Sequence, residues 1–468
     1  MKRFDVVVVG GGTAGITASL SARSTGASVA LVERERRLGG DCTFYGCVPS
    51  KALLEIAKIV HQARRAAGEG ILVRRPEIDF AQIAARARRI VDEIAADERD
   101  ERFERAGITL IHGVASFLSP HELEVDGKRV GGKQFVLATG SEPALPPLPG
   151  IEQVPFLTNR TIFGLERLPR RLLVLGGGPT GLELAQAFRR FGGEVVVVET
   201  LERLLPNEEP EAGEVMAEVL RGEGVELRLG TEAVAARSEN GEIALSLEEG
   251  ELRGDALLLA VGRRGSVTGL GLEPLGVHLD KGYVRVDRRG LTRVANIFAA
   301  GDVTGGLQFT HVAAHEGRVA GLNAAGKRGK IDERVTPRVT YTDPEIASVG
   351  LTEKEARERH DGVEAVTYPM SRVDRARIAE RAVGFVKLVT ARRRILGRAG
   401  GGELVGAQIV GPAAGELIQE CALAMQTRCF AGRLTQTIHP YPAMTLAVQQ
   451  AAAQLFPLGR ALVETDER

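Results

Sequence analysis

Cysteine is scarce in this sequence, with four among 468 residues. That excludes a secreted scaffold stapled by disulfides. An excess of charge of one sign is also missing: 61 lysines and arginines balance 61 aspartates and glutamates. The electrostatic case for nucleic acid or an anionic membrane as partner goes with it. No apolar run approaches the roughly 20 residues of a membrane helix. No signal peptide is expected, since a strand-like run, FDVVVVG, begins at Phe4. Cytoplasm is therefore the expected compartment. The length calls for about two to four domains.

Glycine, by contrast, is abundant at 57 residues, and two of its clusters repeat one design. Val6 to Val9 is an unbroken β-branched run, as in a buried parallel strand. Gly10-Gly11-Gly12-Thr13-Ala14-Gly15 follows, then a helical pattern through Arg23, the strand SVALVE and Glu33. Leu172 to Leu175 opens the second copy. It continues with Gly176-Gly177-Gly178-Pro179-Thr180-Gly181, a helix through Arg190, the strand EVVVVE and Glu199. In each copy the first glycine (Gly10, Gly176) allows a tight turn. The second (Gly12, Gly178) lets a pyrophosphate approach the helix N-terminus, and the third (Gly15, Gly181) lets helix and strand pack closely. The acid (Glu33, Glu199) accepts from a ribose hydroxyl. Two such units imply two dinucleotides and electron transfer between them.

The rest is less regular. Residues 84 to 106 read as helical and highly charged, most simply a solvated helix face. LRGDALLLAV (252–261) and VANIFAAGDV (294–303) read as strand-rich segments that close the two nucleotide units. From about residue 335 the composition shifts. VTYTDPEIASVGLTE, FVKLVTA and ELVGAQIVG read as strands of a third domain, with helices at 413–427 and 443–455. Linkers are expected near 146–155 and 325–335, and the tail Glu464 to Arg468 is expected to fray.

Cys42 and Cys47 stand in GGDCTFYGCVPSK, one helix downstream of the first nucleotide unit. A pair facing a flavin takes two electrons as dithiol and disulfide. The spacing permits a bridge across a helical turn or short loop. A helix N-terminus and Lys51 would favour the reactive thiolate. Two buried thiols are the bland alternative. A zinc half-site is the third, but no partner with two more ligands is found at suitable spacing. Cys421 and Cys429, in or just after an apolar helix, read as structural.

GGDCTFYGCVPSK resembles the active-site motif of the flavin-dependent pyridine nucleotide–disulfide oxidoreductases, among them dihydrolipoamide dehydrogenase and mercuric reductase. The resemblance covers essentially the whole chain. Ala138-Thr139-Gly140-Ser141 is similar to the family's A-T-G-S run, and Ala299-Ala300-Gly301-Asp302 to its A-x-G-D flavin contact. TDPEIASVGLTE and VGAQIVGPAAGELI are similar to its dimerisation domain. The implied architecture is α/β: two Rossmann-like nucleotide-binding domains plus a C-terminal α+β dimerisation domain. The FAD-binding domain would take residues 1–146 and 269–333, the NAD(P)H-binding domain 147–268 and the interface domain 334–468.

The resemblance implies hydride transfer from nicotinamide to FAD, and from FAD two electrons to a Cys42–Cys47 disulfide. Cys47 would be the flavin-proximal, charge-transfer thiol and Cys42 the interchange thiol that meets substrate. Lys51 and Glu183 would form the ion pair beside flavin and nicotinamide, and Asp302 would contact FAD. Glu199 favours NAD over NADP by repelling a 2′-phosphate; Arg203, four residues on, could soften that repulsion. No resident metal is expected. A homodimer with a shared site is implied, as is a thiol, disulfide or lipoyl-type substrate, free or on a lipoyl-bearing protein.

The sequence also departs from the family. Thr43, Phe44 and Tyr45 make the cysteine loop more aromatic, and A-V-G-R-x-P-N reads Ala260 to Ser266 as AVGRRGS. Disulfide-reducing members carry His-Pro with a Glu five residues after the His. Here His439-Pro440-Tyr441-Pro442-Ala443-Met444-Thr445-Leu446 puts Tyr441 and Leu446 in those slots. Sliding by two brings in His439, but then Met444 stands where the Glu belongs. Tyrosine titrates near pH 10 and is a poor base at neutrality. Tyr441 resembles mercuric reductases, yet those end in a vicinal cysteine pair, and this sequence ends VETDER. Their N-terminal metal-binding domain is not expected here either. The implied reading is an NADH-linked disulfide oxidoreductase. A mercuric reductase-like reductase of a metal ion or electrophile is the alternative.

Overall fold

The computed structural model describes residues 2–71, 74 and 76–464. The tail beyond Glu464 lies outside the described residues. Three sheets organise the chain. In the first, Ile108–His112, Val29–Glu33, Lys2–Val9 and Lys128–Leu137 lie side by side and parallel, with Ile297–Ala299 parallel to the end of the last. The hairpin Ala115–Ser119 and Glu122–Val125 pairs antiparallel with the start of that strand. Strand side chains alternate between faces, so Val6 and Val8 meet the helices Thr13–Arg23 and Thr310–Ala324, while Val7 and Val9 meet the hairpin side. Burial on both faces is why the run is continuously apolar. The two helices touch backbone to backbone: a Cβ on Gly317 would lie 2.2 Å from the Ala14 carbonyl oxygen.

The second sheet repeats the pattern in the order Glu226–Arg228, Glu194–Val198, Arg171–Leu175, Ala256–Leu259 and Phe156–Leu157, all parallel. Helices Pro179–Phe191 and Pro210–Gly222 cover one face and a three-stranded antiparallel sheet, residues 233–254, covers the other. The chain passes between the two units through a single antiparallel pair, Ser141–Pro143 with Arg263–Gly265.

The third sheet is antiparallel, in the order Pro337–Thr340, Glu345–Gly350, Glu403–Gly411, Phe385–Ala391 and Glu364–Pro369. Helices Ala414–Gln426 and Leu446–Ala453 share its core. Arg190, 5% exposed, binds Glu223 at 2.6 Å and Asp343 at 3.0 Å, tying the second unit to the third.

Residues 84–106 are mostly helical with a largely exposed surface, as their charge predicts. They belong to two helices, Phe80–Ala95 and Asp100–Arg105, broken at Ala96–Glu98. The first buries Phe80, Ile83, Ala84 and Ala87 in the core it shares with helix Cys47–Gly68. Arginines on the other faces hide this narrow stripe. Strand Glu364–Pro369 was not anticipated. Among the described residues no helix is long and apolar enough to cross a membrane.

Candidate functional site

The two glycine loops are near copies. Gly10 and Gly176 adopt φ of 108° and 110°, and a Cβ there would lie 2.2 Å from the Ala138 oxygen or 2.5 Å from the Ala260 oxygen. A Cβ on Gly15 would meet the Gly10 oxygen at 1.7 Å, and one on Gly181 the Gly176 oxygen at 2.1 Å. A Cβ on Gly178 would meet nothing within 4 Å, so that loop stays open for a ligand. The acids also correspond: Glu33 accepts the Gly11 N–H at 2.5 Å and Glu199 the Gly177 N–H at 2.6 Å. Each carboxylate therefore pins its loop while lying at the end of its strand.

A cleft of about 540 Å³ runs from Gly12 and Glu33 past Gly140, Gly301 and Asp302 to Cys42 and Cys47. Its bare glycine cradle, terminal carboxylate and helix N-terminus fit an extended dinucleotide such as FAD. The cysteine segment begins on the loop itself, because the Gly39 N–H donates to the Gly11 oxygen at 2.8 Å.

Cys42 lies in helix Gly40–Tyr45 and Cys47 is the first residue of helix Cys47–Gly68, with Gly46 between them. Both are thiols here. The Thr310 hydroxyl donates to Cys42 Sγ at 3.0 Å and lies 3.3 Å from Cys47 Sγ. A hydrogen bond from Cys42 pulls the Cys47 thiol below its ordinary range. Thr310 and Lys51 help, and burial opposes. The same hydrogen bond to Cys47, with burial second, pushes the Cys42 thiol up. The start of a 22-residue helix adds a positive dipole end at Cys47. The arrangement thus favours thiolate at Cys47 and thiol at Cys42.

Lys51, one turn after Cys47, reaches Glu183 on helix Pro179–Phe191 at 2.8 Å. The pair joins the cysteine helix to the second nucleotide unit. The Tyr341 backbone N–H also donates to Glu183, at 2.9 Å.

Asp302 sits in a network the sequence reading missed. Ser141 Oγ donates to Asp302 at 2.6 Å and Arg263 Nε donates to that same Oγ at 2.6 Å. Arg263 and Arg160 both hold Asp41, at 2.5 and 2.7 Å. Arg263 belongs to the AVGRRGS run, which differs from the family's pattern; Asp41 and Arg160 carry no local signal in the sequence. Gly301 donates its N–H to the buried Glu316 at 2.6 Å.

Tyr441 is 73% exposed, and its hydroxyl donates to Asp374 at 3.0 Å. His439 is turned inward onto Glu420 at 3.0 Å. Leu446 begins helix Leu446–Ala453. Cys421 is fully buried in the third core and Cys429 packs against it. Among the described residues no group of three or more His, Cys, Asp or Glu is placed to hold a metal ion.

The pyridine nucleotide-disulphide oxidoreductase family model matches residues 4–317, and that family's dimerisation-domain model matches 336–452, which supports a homodimer. A dihydrolipoyl dehydrogenase from Thermus scotoductus is 37% identical over 97% of this chain and 98% of its own length. A mercuric reductase from Shigella flexneri is 37% identical over 96% of this chain and 80% of its own. The HOCl-induced flavoprotein disulfide reductase of Escherichia coli, solved as a Cu(II) complex, superposes with a TM-score of 0.86. It is 28% identical, and the match covers 97% of this chain and all of that one. With both parts of the family's architecture matched in order along one chain, this enzyme belongs to the pyridine nucleotide-disulphide oxidoreductase family.

Proposed function

We propose that the protein is an NADH-linked, FAD-containing disulfide oxidoreductase acting through Cys42 and Cys47 on a thiol or disulfide substrate of lipoyl type. The observation that carries this reading is that both sulfurs meet one hydroxyl in the cleft wall, one helical turn from the Lys51–Glu183 pair. Bound FAD would take hydride from the nicotinamide and pass two electrons to the Cys42–Cys47 disulfide. Gly10, Gly12, Gly15 and Glu33 would hold its adenosine end, with Gly140, Gly301 and Asp302 further along the cleft. Cys47, the more acidic thiol, would keep the negative charge, and Cys42 would exchange with substrate. Gly176, Gly178, Gly181 and Glu199 would hold the second dinucleotide. Glu199 supports NADH over NADPH, and Arg203 is directed at the backbone oxygens of Pro206 and Glu208, at 2.5 and 3.4 Å. In the homodimer, Tyr441 of one subunit would face Cys42 of the partner subunit.

Tyr441 also supports a second reading, a mercuric reductase-like reductase of metal ions or electrophiles. Its hydroxyl already donates to Asp374, and a phenol is a poor base for thiol exchange. Anaerobic mixing of the oxidised enzyme with excess dihydrolipoamide separates the two. Fast growth of the thiolate–flavin charge-transfer absorbance supports the lipoyl reading. Slow growth with dihydrolipoamide but prompt reduction by NADH favours the second. Hg(II)- or Cu(II)-dependent NADH oxidation that needs Cys42 would then establish it.

A further inference from the structure

One hydroxyl serves two sulfurs. Thr310, first residue of helix Thr310–Ala324, lies 3.0 Å from Cys42 Sγ and 3.3 Å from Cys47 Sγ. A hydroxyl carries a single proton and rotates to suit its neighbours. It donates to either sulfur, one at a time. Hydrogen bonds to ionised groups are about twice as strong as neutral ones, so the proton follows the negative charge.

That charge has to move during turnover. On the function proposed above, on which this inference rests, the resting dithiol is ionised at Cys47. Cys42 must then become the thiolate that attacks a substrate disulfide. As the charge moves, the Cys42 proton passes to Cys47; a bond forms between Cys42 and one substrate sulfur, the substrate S–S bond breaks, and the other sulfur leaves as a thiolate that takes that proton from Cys47. Cys47, again a thiolate, next attacks Cys42, the Cys42–Cys47 bond forms, and the second substrate sulfur leaves as a thiolate that takes its proton from solvent. Two electrons pass from the dithiol to the substrate. Tyr441 and Leu446 offer no base to favour ionised Cys42. We propose that Thr310 is a catalytic residue whose hydroxyl swings between Cys47 and Cys42 and stabilises whichever sulfur is ionised.

The test is thiol labelling. Holoenzyme is reduced anaerobically with excess NADH and treated with iodoacetamide over a pH series. Labels on Cys42 and Cys47 are counted separately by mass spectrometry. Thr310→Val keeps the volume and removes the hydroxyl, Thr310→Ser keeps the hydroxyl, and Thr310→Ala stands in should the valine protein fail to fold. The expected result for Thr310→Val is a Cys42 pH–rate profile moved upward by about one unit. That is about a tenfold loss of labelling on its rising limb, and Thr310→Ser restores the wild-type profile. A wild-type profile in the valine protein overturns the proposal, because the residue then only fills space. Faster Cys42 labelling in that protein also overturns it, because the hydroxyl then serves Cys47 alone. Failure of the underlying function looks different: NADH would leave both cysteines of the wild-type enzyme unlabelled, and the proposal would fall with it.

Discussion

Glu183 takes the ammonium of Lys51 on both carboxylate oxygens, at 3.1 and 2.8 Å. Its side chain is 5% exposed, whereas that of Lys51 is 31% exposed. Lys51→Met would leave a buried carboxylate without its cation. Removing one partner of a fully buried pair costs about 3–5 kcal/mol, and water on the lysine side puts this case at or below about 3 kcal/mol. The urea midpoint should fall accordingly. The Cys47 thiol, which Lys51 helps to hold down, should titrate at higher pH. A midpoint and a thiolate titration both unchanged would mean that the pair contributes nothing.

The third glycines separate the two nucleotide sites. Gly15→Ala should cost the protein its flavin, because the new methyl would overlap the Gly10 carbonyl oxygen. Gly181→Ala should leave FAD bound and weaken NADH. Absorbance of the purified proteins and NADH titration of each distinguish these outcomes; loss of flavin from the Gly181 variant would refute the assignment.

Cys42→Ser should abolish NADH-driven disulfide turnover and leave FAD bound. The cleft that would hold the flavin does not rest on that sulfur. Unimpaired turnover would remove Cys42 from the mechanism.

Glu316 introduces a pH dependence of its own. Burial raises its carboxyl well above the usual range despite the Gly301 N–H, and Glu333 and Asp302 add to the rise. With the folded pKa above the unfolded one, this group supports the fold fully below its unfolded value. That support is lost as pH rises through the folded value. Glu316→Gln, which can still accept from Gly301, should flatten the decline. Urea midpoints measured from about pH 5 to about pH 9 would show it; parallel curves for both proteins would dismiss it.

Installing a His–Glu dyad at the Tyr441 and Leu446 positions is the most direct test of the thiol half. Tyr441→His with Leu446→Glu should raise turnover with dihydrolipoamide and NAD by about 10²-fold or more, the usual contribution of a placed general base. Unchanged rates would mean that the proton is handled elsewhere.

The glycine loops are legible in the sequence because their constraints are local. A β-branched run, three glycines at fixed spacing and a strand-end acid declare the unit without its surroundings. The end of the first helix at Arg23 follows from the same pattern. Cys47 and Lys51 are likewise readable as one helical turn. Thr310, Arg160 and Tyr341 are not, because they act on residues more than 100 positions away and no periodicity marks them. The buried stripe of helix Phe80–Ala95 is hidden in the sequence for a related reason: three small or aliphatic residues per two turns suffice to bury a face, and charge dominates the count.

The antiparallel pair between Ser141–Pro143 and Arg263–Gly265 has a topological consequence. Departure from the first sheet and return to it occur side by side, so the segment between forms a closed excursion. A short graft joining residues near 143 and 263 would span no gap. The two flanking stretches would still meet through Thr13–Arg23 and Thr310–Ala324, helices whose backbones touch. The first sheet would stay continuous without that segment, whereas helix Cys47–Gly68, which shares one core with Pro179–Phe191, would lose apolar cover.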